Sequence, residues 1–415
     1  MTQARMTLRR EGLPWSELEP QMKAAGEHDV AWRDGRAPAF IHFAGDDVLE
    51  VAKRAYLMYF SENGLGLRAF GSLAKFESEV VAMGLSLLGG GDDARGAMTT
   101  GGTESIFLAV KAARDHAVAA RAVAGVPEIV LAHSAHPAFD KAAHFLGLAT
   151  VRTPLRADFT ADPEAIAAAI TAKTVMLVGS APAYPHGVMD PIGTIAAMAA
   201  SRGIWMHVDA CVGGYFAPFA RKLGYPIEPF DFSVPGVTSI SADLHKYGYA
   251  AKGASTLFFA DPASFAHMAW SFDNWPRGQY MTNTLVGTRA GGAIAAAWAV
   301  MNYLGEAGYS RITERVLATR RALEAGVQPL GFHVLGRPEL SILAFGSEVH
   351  DIAAVGKAMT ARGWLTGFVK EPAGIHQMLN LTHEPVVARY LSDLAESAEE
   401  ARHSGTSGEA LRAVY

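Results

Sequence analysis

A lysine at position 246 stands between two apolar runs, residues 234–240 and 255–260, within the stretch SISADLHKYGYAAKG at positions 239–253. An amine held in a pocket there would be desolvated, its pKa would fall, and its lone pair would be free for Schiff-base chemistry. A turn between strands is equally a place for a solvated lysine, so its companions must decide. Asp209 closes the apolar run 204–209, in HVDACVGG. A carboxylate in that place is costly unless it meets a cation, and a protonated ring nitrogen would be one. His136, in AHSAHPAFDKAAH, offers a flat imidazole after another apolar run. Residues 89–105, GGGDDARGAMTTGGTES, carry Gly102 and Thr103 to the start of a helical pattern. Backbone amides, a hydroxyl and a helix dipole at such a point favour an anion. The glycine spacing matches neither a dinucleotide fingerprint nor a P-loop, and by itself the stretch also reads as a glycine turn capped by Thr103.

Taken together, an imine-forming lysine, an acid for a ring nitrogen, a stacking imidazole and a phosphate cradle are the parts needed to hold pyridoxal phosphate. Asp209 would keep the pyridine nitrogen protonated, which makes the ring an electron sink; His136 would stack on it; Gly102 and Thr103 would take the phosphate.

For that chemistry the four positions must be neighbours, and the pattern around them brings them together. Short apolar runs at 128–133, 149–153, 174–180, 204–209, 238–242 and 255–260 alternate with helical patterns such as 137–148, 163–172 and 192–202. This βαβ rhythm predicts an α/β fold, a mainly parallel sheet flanked by helices, in which ligands collect at the carboxyl ends of the strands. Ahead of it, residues 1–60 read as an N-terminal arm with a short helix after Pro14 and a second helix over 46–59, followed by the glycine-rich SENGLGLRAFGS and helices over 73–88 and 106–122. Beyond it, helices are expected over 283–304, 309–325, 349–362 and 385–403, with strands over 332–346 and 375–381. The expected division is an arm and helix at 1–60, a large domain at 61–310, and a smaller C-terminal α+β domain at 311–415.

Composition narrows the function classes. The 415 residues are half hydrophobic, enough for a large core. A net charge of -5 gives no basic field, so no nucleic-acid partner is expected. The one cysteine, Cys211, excludes an intramolecular disulfide and a multi-cysteine metal site and suits a reducing compartment. It reads as a small packed residue, and His133, His144 and His207 as structural. The start of the chain lacks the apolar core of a signal peptide, and no apolar run is long enough to span a bilayer. A cytoplasmic enzyme with no metal is the expectation.

Several segments also resemble a known family: MTTGGTES, AHPAFDKAAHFLG, PHGVMDPI, HVDACVGG, SADLHKYGYAAKG and WPRGQYMTNTLVGTRAGGAIAAAWAVMNYLGEAGY. They are similar to the group II pyridoxal-phosphate decarboxylases and, within these, most similar to sphingosine-1-phosphate lyases, from about residue 50 to the end. The resemblance implies the fold type I transferase-like architecture and a homodimer with shared active sites. It assigns Lys246 to the Schiff base, Asp209 to the pyridine nitrogen, His136 to stacking, and Gly102, Thr103 and His245 to the cofactor phosphate. It places Lys252 against a substrate phosphate, Tyr184 and His186 on the substrate side, and Gly287 and Thr288 over the partner's cofactor phosphate. Tyr184 also reads as a packing residue and Lys252 as a solvated one. The implied activity is retro-aldol cleavage of a phosphorylated long-chain sphingoid base to a fatty aldehyde and phosphoethanolamine. An amino-acid decarboxylase on the same scaffold is the alternative, and a non-catalytic binding protein a more distant one. One loop departs from the pattern: the lyases carry Asn-Pro-Leu-His, whereas this chain has Asn63, Gly64, Leu65 and Gly66, so the family histidine is replaced by a glycine that adds backbone freedom.

Overall fold

In the computed structural model, residues 5–120 and 123–404 are described. The end of the expected 106–122 helix, and residues 1–4 and 405–415 of the expected outer divisions, lie outside them. Seven strands form the main sheet: β1 (Arg95–Thr99), β2 (Glu128–Ala132), β3 (Ala149–Thr153), β4 (Thr174–Ser180), β5 (Trp205–Asp209), β6 (Ser239–Ala242) and β7 (Ser255–Phe259). Their order is β1-β7-β6-β5-β4-β2-β3, parallel except that β7 runs against both of its neighbours. Every residue of β4, β5, β6 and β7 is buried. These central strands are covered on both faces, so even their polar residues, such as His207, Ser239, Ser241, Ser255 and Thr256, are buried.

The helices are α1 (Trp15–Ala25), α2 (Asp46–Met58), α3 (Gly71–Leu87), α4 (Gly102–Ala120), α5 (Ala138–Leu146), α6 (Pro163–Ala169), α7 (Ile192–Ala200), α8 (Ala217–Lys222), α9 (Pro262–Ala266), α10 (Gly291–Val327), α11 (Ile352–Ala361) and α12 (Val387–Ser404). Three starts are fixed by Asp caps: Asp162 accepts from the amides of Glu164 and Ala165, Asp261 from that of Ser264, and Asp351 from those of Ala353 and Ala354. A hairpin of β8 (Trp270–Phe272) and β9 (Tyr280–Thr282) stands apart from the main sheet. The second sheet has the order β10 (His333–Val334), β11 (Ile342–Gly346), β13 (Gly374–Met378) and β12 (Gly367–Val369), all antiparallel.

Four expectations change. Strand β1 lies inside what reads as a glycine loop; five residues between glycines carry too little periodicity to show it. The helix expected from 283 begins at Gly291, because 283–290 form a loop behind the hairpin. The two helices after it are one element, α10, broken only at Gly305, where φ is 53° and ψ -175°. The single strand expected over 332–346 is two, β10 and β11, separated by a loop.

The N-terminal segment divides in two. Helix α1 has no buried residue. Residues 36–43, by contrast, lie along the second sheet: the carbonyls of Arg36, Pro38 and Phe43 accept from the amides of Leu365, Met378 and Leu381. This strap forms one wall of the cleft described next.

Candidate active site

The main sheet delivers its chemistry at one end. Gly102 follows β1, His136 follows β2, Asp209 ends β5, and Lys246 lies in the turn between β6 and β7. A cavity of about 390 Å³ opens between them, lined by Thr100–Glu104, His136, Ser180, Tyr184, Asp209, Cys211, Asp243, His245 and Lys246 among others.

Each wall has a local cause. Asp209 is buried, and its Oδ1 accepts from the Cys211 amide (3.1 Å) and the Ser241 hydroxyl (3.3 Å), which fixes the carboxylate at the cavity's inner end. His136 accepts the Ala138 amide on Nδ1 at 3.1 Å, so its other nitrogen carries the proton when the ring is neutral. Burial, only partly offset by Asp209, lowers its pKa and keeps the imidazole uncharged, as a stacking ring should be. Gly102 admits no side chain: a Cβ there would meet Cys211 Sγ at 2.8 Å and Asp243 Oδ2 at 2.9 Å. Beside it, Asp243 Oδ1 and His245 Nδ1 are buried with no hydrogen bond in the structure.

Lys246 corrects one expectation. Burial alone would lower its pKa, but the Asp243 carboxylate lies 3.0 Å from Nζ and outweighs that penalty, so the amine is held above its ordinary value. The same pairing keeps the Asp243 carboxyl below its usual range despite burial. Asp243 sits three residues before Lys246 on one turn, a spacing legible in the sequence and overlooked there.

The remaining expected residues fall elsewhere. Tyr184 lines the cavity and also a second cleft of about 570 Å³, whose walls include Pro38, Phe40, Leu155, His186, Leu365, Phe368, Val369 and His376. His376 donates from Nε2 to the Tyr184 carbonyl (3.0 Å) and packs against its ring, 4.7 Å between centroids. His186 belongs to this cleft alone, stacked on Phe159, and burial pushes its pKa down to about 4. Lys252 is an exposed residue absent from the cavity wall, but its amine end turns inward and donates to the His245 carbonyl at 3.1 Å. Partial burial and the nearby Lys246 push its pKa down to about 8.

Asn63, Gly287 and Thr288 also lie outside the cavity wall. Asn63 Oδ1 accepts the amides of Leu65 and Gly66, so the glycine that replaces the family histidine sits in a hydrogen-bonded turn. Arg289 locks this turn to the 283–290 loop: its guanidinium meets both Glu77 oxygens (2.7 and 2.8 Å) and the Met98 carbonyl (3.0 Å), and its own carbonyl accepts from the Gly64 amide.

Of the three histidines expected to be structural, His207 is in the core and the other two are at the surface. His207 is a core residue, bonded to Ser239 and Ser241 and held neutral by burial, with a pKa near 4. His133 and His144 are exposed, and His133 lines the outer cleft. Cys211 is buried against Ser241, and burial raises its thiol pKa, which leaves it inert as a nucleophile.

The residues fit pyridoxal phosphate. Gly102 leaves a cradle open at a helix start, buried polar atoms wait beside it, a fixed carboxylate faces the far end, and a lysine stands between them. Fold type I pyridoxal-phosphate enzymes are built on such a sheet, and the protein is one of them.

Comparison with known proteins narrows this. Residues 77–347 match the pyridoxal-dependent decarboxylase conserved domain. The sphingosine-1-phosphate lyase of Arabidopsis thaliana is 41% identical over 392 residues, 92% of this chain and 72% of that one. Sphingosine-1-phosphate lyase 1 of Rattus norvegicus is 40% identical over 95% of this chain and 70% of its own. Among solved structures, a sphingosine-1-phosphate lyase of Burkholderia pseudomallei has a TM-score of 0.92 at 36% identity, over 97% of this chain and 94% of that one. A glutamate decarboxylase of Lactobacillus brevis, at 17% identity and a TM-score of 0.84 over 98% of this chain and 97% of its own, shares the fold. The chain belongs to the pyridoxal-dependent decarboxylase family, in its sphingosine-1-phosphate lyase branch, and is a pyridoxal-phosphate-dependent lyase.

Proposed function

We propose that the protein cleaves the C2–C3 bond of a phosphorylated long-chain amino alcohol, giving a fatty aldehyde and phosphoethanolamine. The observation that carries this reading is the apolar cleft that meets the cofactor cavity at Tyr184. Phe40, Leu155, Leu365, Phe368 and Val369 suit an alkyl chain. An amino-acid decarboxylase must hold a carboxylate, and no arginine lines either cavity among the described residues.

Pyridoxal phosphate, when bound, supplies an aldehyde for the substrate amine and a ring that accepts the electron pair of the broken bond. The protein's residues do the rest. Gly102, Thr103 and His245 would hold the phosphate, Asp209 would pair with the ring nitrogen, and His136 would cover the ring face. Lys246 would carry the cofactor, and the Asp243 carboxylate beside it stabilises the charged form of the amine when it is free. Tyr184 orients the hydroxyl-bearing carbon at the junction of cavity and cleft, with His186 farther along the chain path. Lys252 brings a cation toward the substrate phosphate.

Two copies complete the site. Exposed apolar residues crowd the edge that carries Asn63, Gly287 and Thr288: Trp270, Phe272, Trp275, Met281 and Leu285. A patch of this kind marks an interaction surface, and a second copy of the chain is its partner. Gly287 and Thr288 then close over the partner's cofactor phosphate. No helix among the described residues is long and apolar enough to cross a membrane.

The test is product analysis with the cofactor-loaded protein. Equimolar aldehyde and phosphoethanolamine from a phosphorylated sphingoid base is the expected result. Carbon dioxide from an amino acid, without aldehyde from that base, would overturn the reading.

A further inference from the structure

Glu104 is 6% exposed in the first turn of α4, yet no part of the chemistry above uses it. Its two oxygens serve two different loops. Oε2 accepts the Thr100 amide at 2.6 Å and the Thr100 hydroxyl at 2.5 Å, so it shapes the turn that leads into the phosphate cradle. Oε1 accepts the amides of Leu285 (2.9 Å) and Val286 (3.1 Å), in the loop that carries Gly287 and Thr288. A carboxylate beside a phosphate site is a poor neighbour for a dianion unless donors claim its charge. Here four donors do so, and the helix start adds a favourable dipole.

We propose that Glu104 is a positioning residue that couples cofactor binding to the association of two copies of this chain; the proposal rests on the dimeric reading given above. Leu285 is 59% exposed and Met281 63% exposed, so the loop Glu104 holds is part of the apolar edge that a second copy covers. At its far end the loop is pinned again, by Arg289 on Glu77 and on the Met98 carbonyl of β1. A phosphate that orders residues 100–103 orders Oε2, and the rigid carboxylate transmits this to the amides of 285 and 286. The reverse holds equally: a partner that orders the loop preorganises the cradle. By linkage, both directions carry the same factor.

The test measures both sides of that linkage with the full-length chain. Sedimentation of the cofactor-free and cofactor-loaded protein gives the monomer–dimer constant in each state, and pyridoxal phosphate titration gives the cofactor affinity. In the unmodified protein, loading should tighten association by a factor of about 5–150, the usual range of such couplings. Glu104→Gln places an amide nitrogen against one of the two donor pairs, so the factor should fall to about twofold or less, with both affinities weakened. Glu104→Asp keeps the charge but is too short to reach both loops, and should lose the factor in the same way. Circular dichroism checks that each variant is folded, and a dimer constant of the unmodified protein that responds to cofactor supports the proposal even where a variant does not fold. If either folded variant keeps the full factor, the proposal is wrong. A dimer that ignores cofactor also sinks it but leaves the dimeric reading standing, whereas a protein that stays monomeric in both states sinks both.

Discussion

The cofactor cavity and the outer edge of the molecule are built on opposite plans. In the cavity, side chains stand on strand ends and short turns, and their polar atoms are held from within the same chain: Asp209 by Cys211 and Ser241, His136 by Ala138, Lys246 by Asp243. At the edge, the loops 63–66 and 283–290 and the β8–β9 hairpin expose Trp270, Phe272, Trp275 and Leu285. Their backbone is pinned, by Asn63, Arg289 and Glu104, but their apolar side chains stay about half exposed even where Trp270 stacks on Phe272 and Trp275 meets Tyr280. A fixed backbone with uncovered apolar side chains is the condition of a surface waiting for a rigid partner. The chemistry is thus held from within the chain, whereas the edge leaves its apolar side chains exposed.

The contrast can be broken at either region. Removal of the cavity's lysine has the largest expected effect: Lys246→Ala should lower turnover by about 10⁴-fold or more, the upper range for a single acid–base group, while subunit association is nearly unchanged. Full turnover in steady-state assays would end the account. At the edge, Arg289→Ala leaves Glu77 as an unpaired, mostly buried charge. It should cost about 3–5 kcal/mol in urea unfolding and weaken association, and a loss under about 1 kcal/mol would mean that the pair is not what pins the loops. Asp209→Ala, back in the cavity, should lower kcat by about 10²–10³-fold with little change in stability, as for loss of one fixed electrostatic contact.

Lys252 lies between the two regions and gives a smaller, pH-dependent signal. Its pKa is pushed down to about 8, so it is charged below that pH and neutral above it. KM for a phosphorylated substrate should rise by about tenfold per pH unit above that point, and Lys252→Arg should flatten the profile. An equal rise with an unphosphorylated amine would remove Lys252 from phosphate recognition. Smallest of all, Trp270→Ser should weaken association by about 1–2 kcal/mol and leave the cofactor affinity of the assembled dimer within about twofold.

The same contrast explains what the sequence could show. Asp209 ends a largely apolar strand and Lys246 lies in the turn after another short strand, and the parallel order of those strands follows from the helices in the chain between them, so the cavity was legible from local pattern. The pairing of Lys246 with Asp243 was legible in spacing, but its sign was not: the carboxylate overrides the burial that alone would have lowered the lysine's pKa. Strand β1 was hidden because its register is set by β7, which lies far along the chain. His376 against Tyr184 and residues 36–43 along the second sheet are likewise long-range contacts with no local signal. Glu104 stood in plain view after Thr103, but only the folded 283–290 loop gives its second oxygen a purpose.

The central claim is that the cavity holds pyridoxal phosphate on Lys246. Borohydride reduction of the cofactor-loaded protein, followed by proteolysis and mass mapping, tests it directly. The account predicts one modified lysine per chain, at Lys246, and none in Lys246→Ala. A cofactor mass on Lys252 or another lysine, or no modification of the native protein, would contradict it.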